Sequence, residues 1–202
     1  PIIVGGTGLY LSSLTEGLAD IPATNDAVRA TANSLSLEQL LNDLDAKTRS
    51  RIDVQNRARV QRAWEVFNQT GRPLSDWQDD PTEALLPLDQ TTPILVDAPK
   101  DWLTPRIERR FDLMLEVGAL TEAENMMPNW SPLHPSSKAI GAAELIAHLK
   151  GELSLDRARE MSVIATRQYA KRQRTWFSKK MKNWQKISFE TTEPSESLIF
   201  LD

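Results

Sequence analysis

The opening stretch, PIIVGGTGLYLSSL, constrains the fold more than any other part of the chain. An apolar run, Ile2 to Val4, enters Gly5, Gly6, Thr7 and Gly8, and Leu9, Tyr10, Leu11 and Leu14 follow at helical spacing. A short apolar run ahead of glycines predicts a fully buried strand of a parallel sheet. The glycine turn then delivers backbone N–H groups to the start of a helix near Leu9, where an anion can be received or a ligand can approach the backbone closely. A second strand is predicted at Ile94 to Val96, between Pro93 and Pro99, and a last one at Trp184 to Phe189. So few strands cannot form a free-standing parallel sheet. The remaining strands are expected upstream of Pro1, which makes this the later part of an α/β protein.

The rest of the chain reads as helix. Ala27 to Asn33 is a short helix, Ser36 and Gln39 form a capping-box pattern, and Asp53 to Ser75 contains a helix closed by Gly71 and Pro73. Val60, Ala63, Trp64 and Phe67 mark the apolar face of that helix, and Gln78 to Thr92 is a polar loop. Further helices are predicted around RIERRFDLML with Ile107, Phe111, Met114 and Leu115 inward, at Thr121 to Met127, at Ala139 to Lys150, and from a Ser154 cap to about Met181. The tail after the last strand is acidic and expected to fray.

Composition removes several chemistries. With no cysteine, disulfides, thiolate catalysis and cysteine-bound zinc are excluded, and the only histidines, His134 and His148, show no ligand spacing. No metal ligand is therefore assigned. The sequence has no signal peptide and no apolar run of spanning length, so a cytoplasmic protein without membrane contact is expected.

The net charge of −4 is unevenly spread: Met161 to Phe189 holds eight Lys and Arg and no Asp or Glu, so the rest of the chain carries −12. Such a stripe gives an acidic protein a directional field that a polyanion meets first. Within it, Arg167, Lys171 and Arg174 share one helical stripe, and Tyr169, Arg172, Trp176 and Phe177 place aromatics among the bases. This suits phosphate contacts combined with stacking on unpaired bases, although an amphipathic core helix with a wet basic face explains the aromatics equally well. Arg106 and Arg110, four apart on one helix face, read either as a solvated charged face or as a diphosphate clamp. Asn56, Arg57, Arg59 and Arg62 are candidate phosphate contacts, Lys138 is a possible phosphate ligand, and Thr7 offers a hydroxyl at a turn that is otherwise simply tight.

Taken in order, GGTGLYL, the helix ending in TGRPLS, RIERRFDLML, SSKAIG with a following EL, and TRQYAKRQRTWF resemble the tRNA dimethylallyltransferase (IPP transferase) family from Pro1 to about Phe177. The resemblance implies an α/β fold with a partial P-loop-kinase-like core and a helical insertion domain, predominantly helical in the residues present. Residues 1–18 and 91–192 would form the core and 19–90 the insertion. It also implies transfer of a dimethylallyl group from its diphosphate to the exocyclic amine of a flipped-out adenosine beside the tRNA anticodon, with Mg2+ on the diphosphate. By analogy Thr7 sits at the adenine and Arg110 at the departing diphosphate, with Gly5, Gly6, Gly8, Arg106 and Lys138 binding substrate. The anticodon arm would be held by Asn56, Arg57, Arg59, Arg62, Arg167, Gln168, Lys171, Arg172 and Arg174 of a monomer.

The sequence also departs from the family pattern. The family's P-loop, of the glycine-lysine-threonine or serine type, and its general-base aspartate precede GGTGLY, and neither stands in this sequence. Val54 replaces a common proline, Trp64 a common leucine, and the stretch from Ala19 to Asp53 is short for the insertion. The chain is therefore read as a member lacking the N-terminal P-loop part and inactive by itself. Two other readings stay open: a P-loop nucleotide kinase fragment, which gives the aromatic-basic helix no role, and a non-catalytic helical RNA-binding module.

Overall fold

The computed structural model describes residues 1–132 and 134–188. The chain divides into two compact units, Pro1–Thr92 and the residues from Pro93 onward.

The first unit is helical. Helix α1 (Gly8–Glu16) starts as the glycine turn predicts, with Tyr10 and Leu11 N–H groups donating to the Thr7 carbonyl at 3.0 and 3.3 Å. It ends at Gly17, where φ is +82° and a Cβ would lie 1.9 Å from the Thr82 carbonyl oxygen, so only glycine lets the returning chain pass. The crossing is fastened by Thr82 N–H and hydroxyl to the Leu18 carbonyl, at 3.1 and 2.8 Å.

Three short helices follow, α2 (Asp26–Ser34), α3 (Leu37–Asn42) and α4 (Ala46–Arg51), each opened by a side-chain cap from Asn25, Ser36 and Asp45. The capping box of Ser36 and Gln39 forms as its spacing predicts. Helix α5 (Arg57–Thr70) is capped by Asn56 and closed by left-handed Gly71, and α6 (Leu74–Gln78) follows Pro73. Ala32, Leu40, Leu44, Val60, Ala63, Trp64, Val66 and Leu74 make one buried cluster. Truncating Leu40 to alanine should cost about 2–5 kcal/mol. Trp64 fits this core because its indole N–H donates to Asp43 at 2.7 Å. Phe67, placed inward by the periodicity, is instead 37% exposed, and its neighbour Val66 is buried.

The second unit holds strand β1 (Ile94–Asp97), helices α7 (Lys100–Glu116), α8 (Ala119–Met126), α9 (Ala142–Leu149) and α10 (Leu155–Lys180), and strand β2 (Gln185–Ser188). The strands pair in parallel, Ile94 opposite Gln185 and Asp97 opposite Ser188. Phe111, Ala123, Leu145, Ile146 and Val163 form the core. Helix α9 begins at Ala142 rather than Ala139 because Gly141 has φ +95°, and a Cβ there would press within 3.0 Å of the Phe111 ring. Asp112 of α7 and Arg159 of α10 form a two-pronged ion pair across the helices, the second prong 2.7 Å long. The Arg159 guanidinium holds the Asp112 carboxyl below the usual carboxylate range.

One strand expectation fails. Residues 2–4 have no strand conformation, and Ile2 and Val4 are 94% and 89% exposed. An apolar run becomes a strand only when a neighbour completes its hydrogen-bond ladder, and among the described residues β1 and β2 pair only with each other. Phe189 and the acidic tail lie outside the described residues.

Candidate nucleic-acid interface

Helix α10 is long because Ser154 caps it and no glycine or proline interrupts it, and its spacing sets Ile164, Arg167, Gln168, Lys171 and Arg174 on one stripe. That stripe faces the first half of α7, and the two helices enclose an open groove of about 500 Å³. Leu103, Ile107 and Ile164 supply apolar wall, while Arg167, Lys171, Arg174 and Lys100 supply charge.

None of these four cations has an ion-pair partner among the described residues. Lys100 occupies the first position of α7, where the helix dipole favours an anion over a cation. A bound anion would relieve both that mismatch and the mutual repulsion of the cluster.

Arg167, Lys171 and Arg174, which the helical spacing sets on one stripe, line one groove with Gln168 beside them, and the sequence did not single out Lys100. No motif marks Lys100; only the packing of α7 on α10 reveals it. Arg172 turns elsewhere, its guanidinium 5.9 Å from the Tyr169 ring centroid.

The first unit carries a second basic groove, of about 530 Å³, lined by Arg51, Asn56, Arg59 and Arg62 with Leu74 and Gln78. Here most charges are engaged. Arg51 donates to Asp79 at 2.5 Å and to the Ser75 carbonyl at 3.2 Å. With Lys47 beside it as well, the Asp79 carboxyl is drawn down to about 2, first by Arg51 and then by Lys47. Arg62 donates to the Thr24 hydroxyl. Arg59 is exposed and has no ion pair. Arg57 lies outside the groove and donates to the Ala32 and Leu35 carbonyls at 3.2 and 2.8 Å, closing the end of α2. Asn56 lends its side chain to the Arg59 N–H at 3.3 Å.

The other sequence candidates are dispersed. Thr7 is exposed and its hydroxyl caps no backbone group. Gly5, Gly6 and Gly8 have no positive φ, and a Cβ at Gly5 would meet nothing within 4 Å. Arg106 lies 3.6 Å over the Trp102 ring and donates to the Trp102 carbonyl at 3.1 Å, so its guanidinium is folded along its own helix. Arg110 and Lys138 are exposed. His148 is tied to the Leu153 carbonyl at 3.0 Å, and no group of three or more His, Cys, Asp or Glu that could hold a metal occurs among the described residues. No helix among them is long and apolar enough to cross a membrane.

The protein is helix-dominated, and each of its two units carries a groove lined by basic side chains. Residues 1–180 match the IPP transferase family, and the chain belongs to it. It is similar to a tRNA dimethylallyltransferase of Ruegeria sp. (strain TM1040), 61% identical over 93% of this chain, and to one of Roseobacter denitrificans, 58% identical over 91%. The chain spans 65% and 66% of the lengths of these relatives. Among solved structures, the tRNA delta(2)-isopentenylpyrophosphate transferase of Staphylococcus epidermidis matches with TM-score 0.56 and 30% identity over 96% of this chain and 64% of its own. A eukaryotic dimethylallyltransferase acting on tRNA matches with TM-score 0.72 over 93% of this chain and 51% of its own; at 24% identity that likeness speaks for the fold alone.

These matches correct the fold and family expectations. A family match that begins at residue 1 and runs to 180 overturns the reading of a member lacking its N-terminal P-loop part. The inactivity deduced from that reading loses its ground. The solved transferases cover nearly all of the chain, so its fold is that of these enzymes rather than a partial kinase-like core.

Proposed function

We propose that this protein transfers a dimethylallyl group from dimethylallyl diphosphate to the exocyclic amine of the adenosine beside a tRNA anticodon. The observation that carries the reading is the unpartnered cationic groove between α7 and α10, taken with family membership. Its charges suit a phosphate backbone, and its apolar wall suits an unstacked base.

In the reaction the allylic C–O bond breaks, diphosphate leaves with the electron pair, the amine nitrogen bonds the allylic carbon, and that nitrogen gives up a proton. The adenine must leave its stack to be reached. Arg110 neutralises charge developing on the diphosphate, and the Thr7 hydroxyl orients the base at a turn that Gly5, Gly6 and Gly8 keep open. Arg167, Gln168, Lys171, Arg174 and Lys100 hold RNA phosphates, and Arg59 and Arg62 hold them in the other groove. Arg57, Arg106 and Arg172 have structural partners and serve binding less directly.

Magnesium, when bound, supplies charge neutralisation on the diphosphate. No group of three or more His, Cys, Asp or Glu among the described residues could hold the ion, and by the family resemblance it would be bound through the diphosphate and the P-loop. The protein works as a monomer in the cytoplasm.

The test is transfer of labelled dimethylallyl from its diphosphate to an anticodon stem-loop by the full-length gene product. Modified adenosine in digested RNA is expected, and none would overturn the reading. Arg110→Ala should lower turnover by about 10²-fold or more with RNA affinity unchanged; equal losses in both would remove its role at the leaving group.

A further inference from the structure

Glu65 is 3% exposed, which makes it a carboxylate in the core of the first unit. A buried carboxylate is stable only if its oxygens are fully hydrogen-bonded. One oxygen accepts from Gln61 at 3.0 Å, and the other accepts from the Thr24 hydroxyl at 3.1 Å and from Arg29 at 3.2 Å. A hydroxyl has a single proton. Because Thr24 spends it on Glu65, its oxygen is left only as an acceptor, and Arg62 donates to it. The backbone around Thr24 is fixed independently: Gln69 donates to the Ala23 carbonyl at 2.6 Å and accepts from the Asn25 N–H at 2.8 Å.

Arg62 also lines the first unit's groove. We infer that Glu65 and Thr24 form a positioning relay that sets the Arg62 guanidinium toward a phosphate of bound RNA. The inference rests on the RNA-binding reading above. A guanidinium held before the ligand arrives loses less rotamer freedom on binding, a saving equivalent to about 2- to 10-fold in affinity. Gln61, Arg29 and Gln69 keep the relay in place whether or not RNA is present.

The experiment is a double-mutant cycle on RNA affinity with the full-length protein and an anticodon stem-loop, at several salt concentrations. Thr24→Val keeps the shape and removes the hydroxyl, and it should weaken binding about 2- to 10-fold. Thr24→Ser should restore wild-type affinity. Arg62→Ala should weaken binding and flatten the salt slope by about one phosphate. The double variant should bind no more weakly than Arg62→Ala alone, a non-additivity that a purely structural role for Thr24 would not produce. Wild-type affinity for Thr24→Val, or losses that add in the double variant, would overturn the relay alone. Wild-type affinity and slope for Arg62→Ala would overturn the RNA reading of this groove, and the relay with it. Matching melting temperatures for Thr24→Ser and wild type confirm that the comparison is made on folded protein.

Discussion

The two basic grooves differ in how their charges are held. In the first unit Arg51 is fixed by Asp79 and the Ser75 carbonyl, and Arg62 by Thr24. In the second, Lys100, Arg167, Lys171 and Arg174 face one another across apolar wall without ion-pair partners. Held cations contribute geometry, because their rotamer freedom is already lost before a ligand arrives. Unheld cations contribute attraction, because their field is not cancelled by neighbouring carboxylates. The first groove is thus suited to register and the second to capture.

The largest expected effect comes from removing the capture surface. Replacing Lys100, Arg167, Lys171 and Arg174 with alanine should lower RNA affinity by about 10²-fold or more at low salt and flatten the slope of log K against log salt by about three. A slope at wild-type value would return this face to ordinary solvated surface.

Next in size, Arg57 and Arg59 separate structure from binding within one turn of α5. Arg57→Ala should lower stability by about 0.5–1.5 kcal/mol in urea unfolding, since it removes the side-chain donor to the Leu35 carbonyl and leaves the Ala32 carbonyl with the Leu35 N–H alone. Arg59→Ala should leave stability within about 0.5 kcal/mol and weaken RNA binding several-fold. The opposite pattern would exchange their roles.

A smaller effect is expected from Asp112→Asn. It weakens the half-exposed pair that ties α7 to α10, and the unfolding midpoint should shift only slightly, because solvent screens the pair. A much larger loss would show that the groove walls depend on that tie.

The smallest effect concerns acid. The Asp79 pKa is lowered from 3.8 to about 2 in the folded state, so the stabilising contribution of its pairing with Arg51 and Lys47 is fully present above about 3.8 and lost as pH falls through about 2. Comparing wild type with Asp79→Asn by acid titration should show the difference in stability shrinking through that window. A pH-independent difference would mean the pairing is not what Asp79 contributes.

Local signals were legible wherever the determinant lies within one turn. Ser36 and Ser154 cap their helices and Gly71 closes α5, each as its neighbours in sequence predict, whereas Asn56, read as a phosphate contact, caps α5. What could not be read depends on distant partners. Residues 2–4 have strand composition without a ladder, and Arg57 differs from Arg59 only because the end of α2 reaches it. Lys100 joins the capture surface through a helix that follows it by more than one core element. The stripe of α10 was visible because a helix displays its own periodicity, whereas the opposite wall belongs to another segment.

The pairing of Ile94 with Gln185 also sets an order of events during synthesis. All four helices of the second unit lie between those strands, so their local contacts become available while β2 is still unmade. The sheet can close only after nearly the whole unit has left the ribosome, and until then the β1 edge is an open template for any other strand in its vicinity.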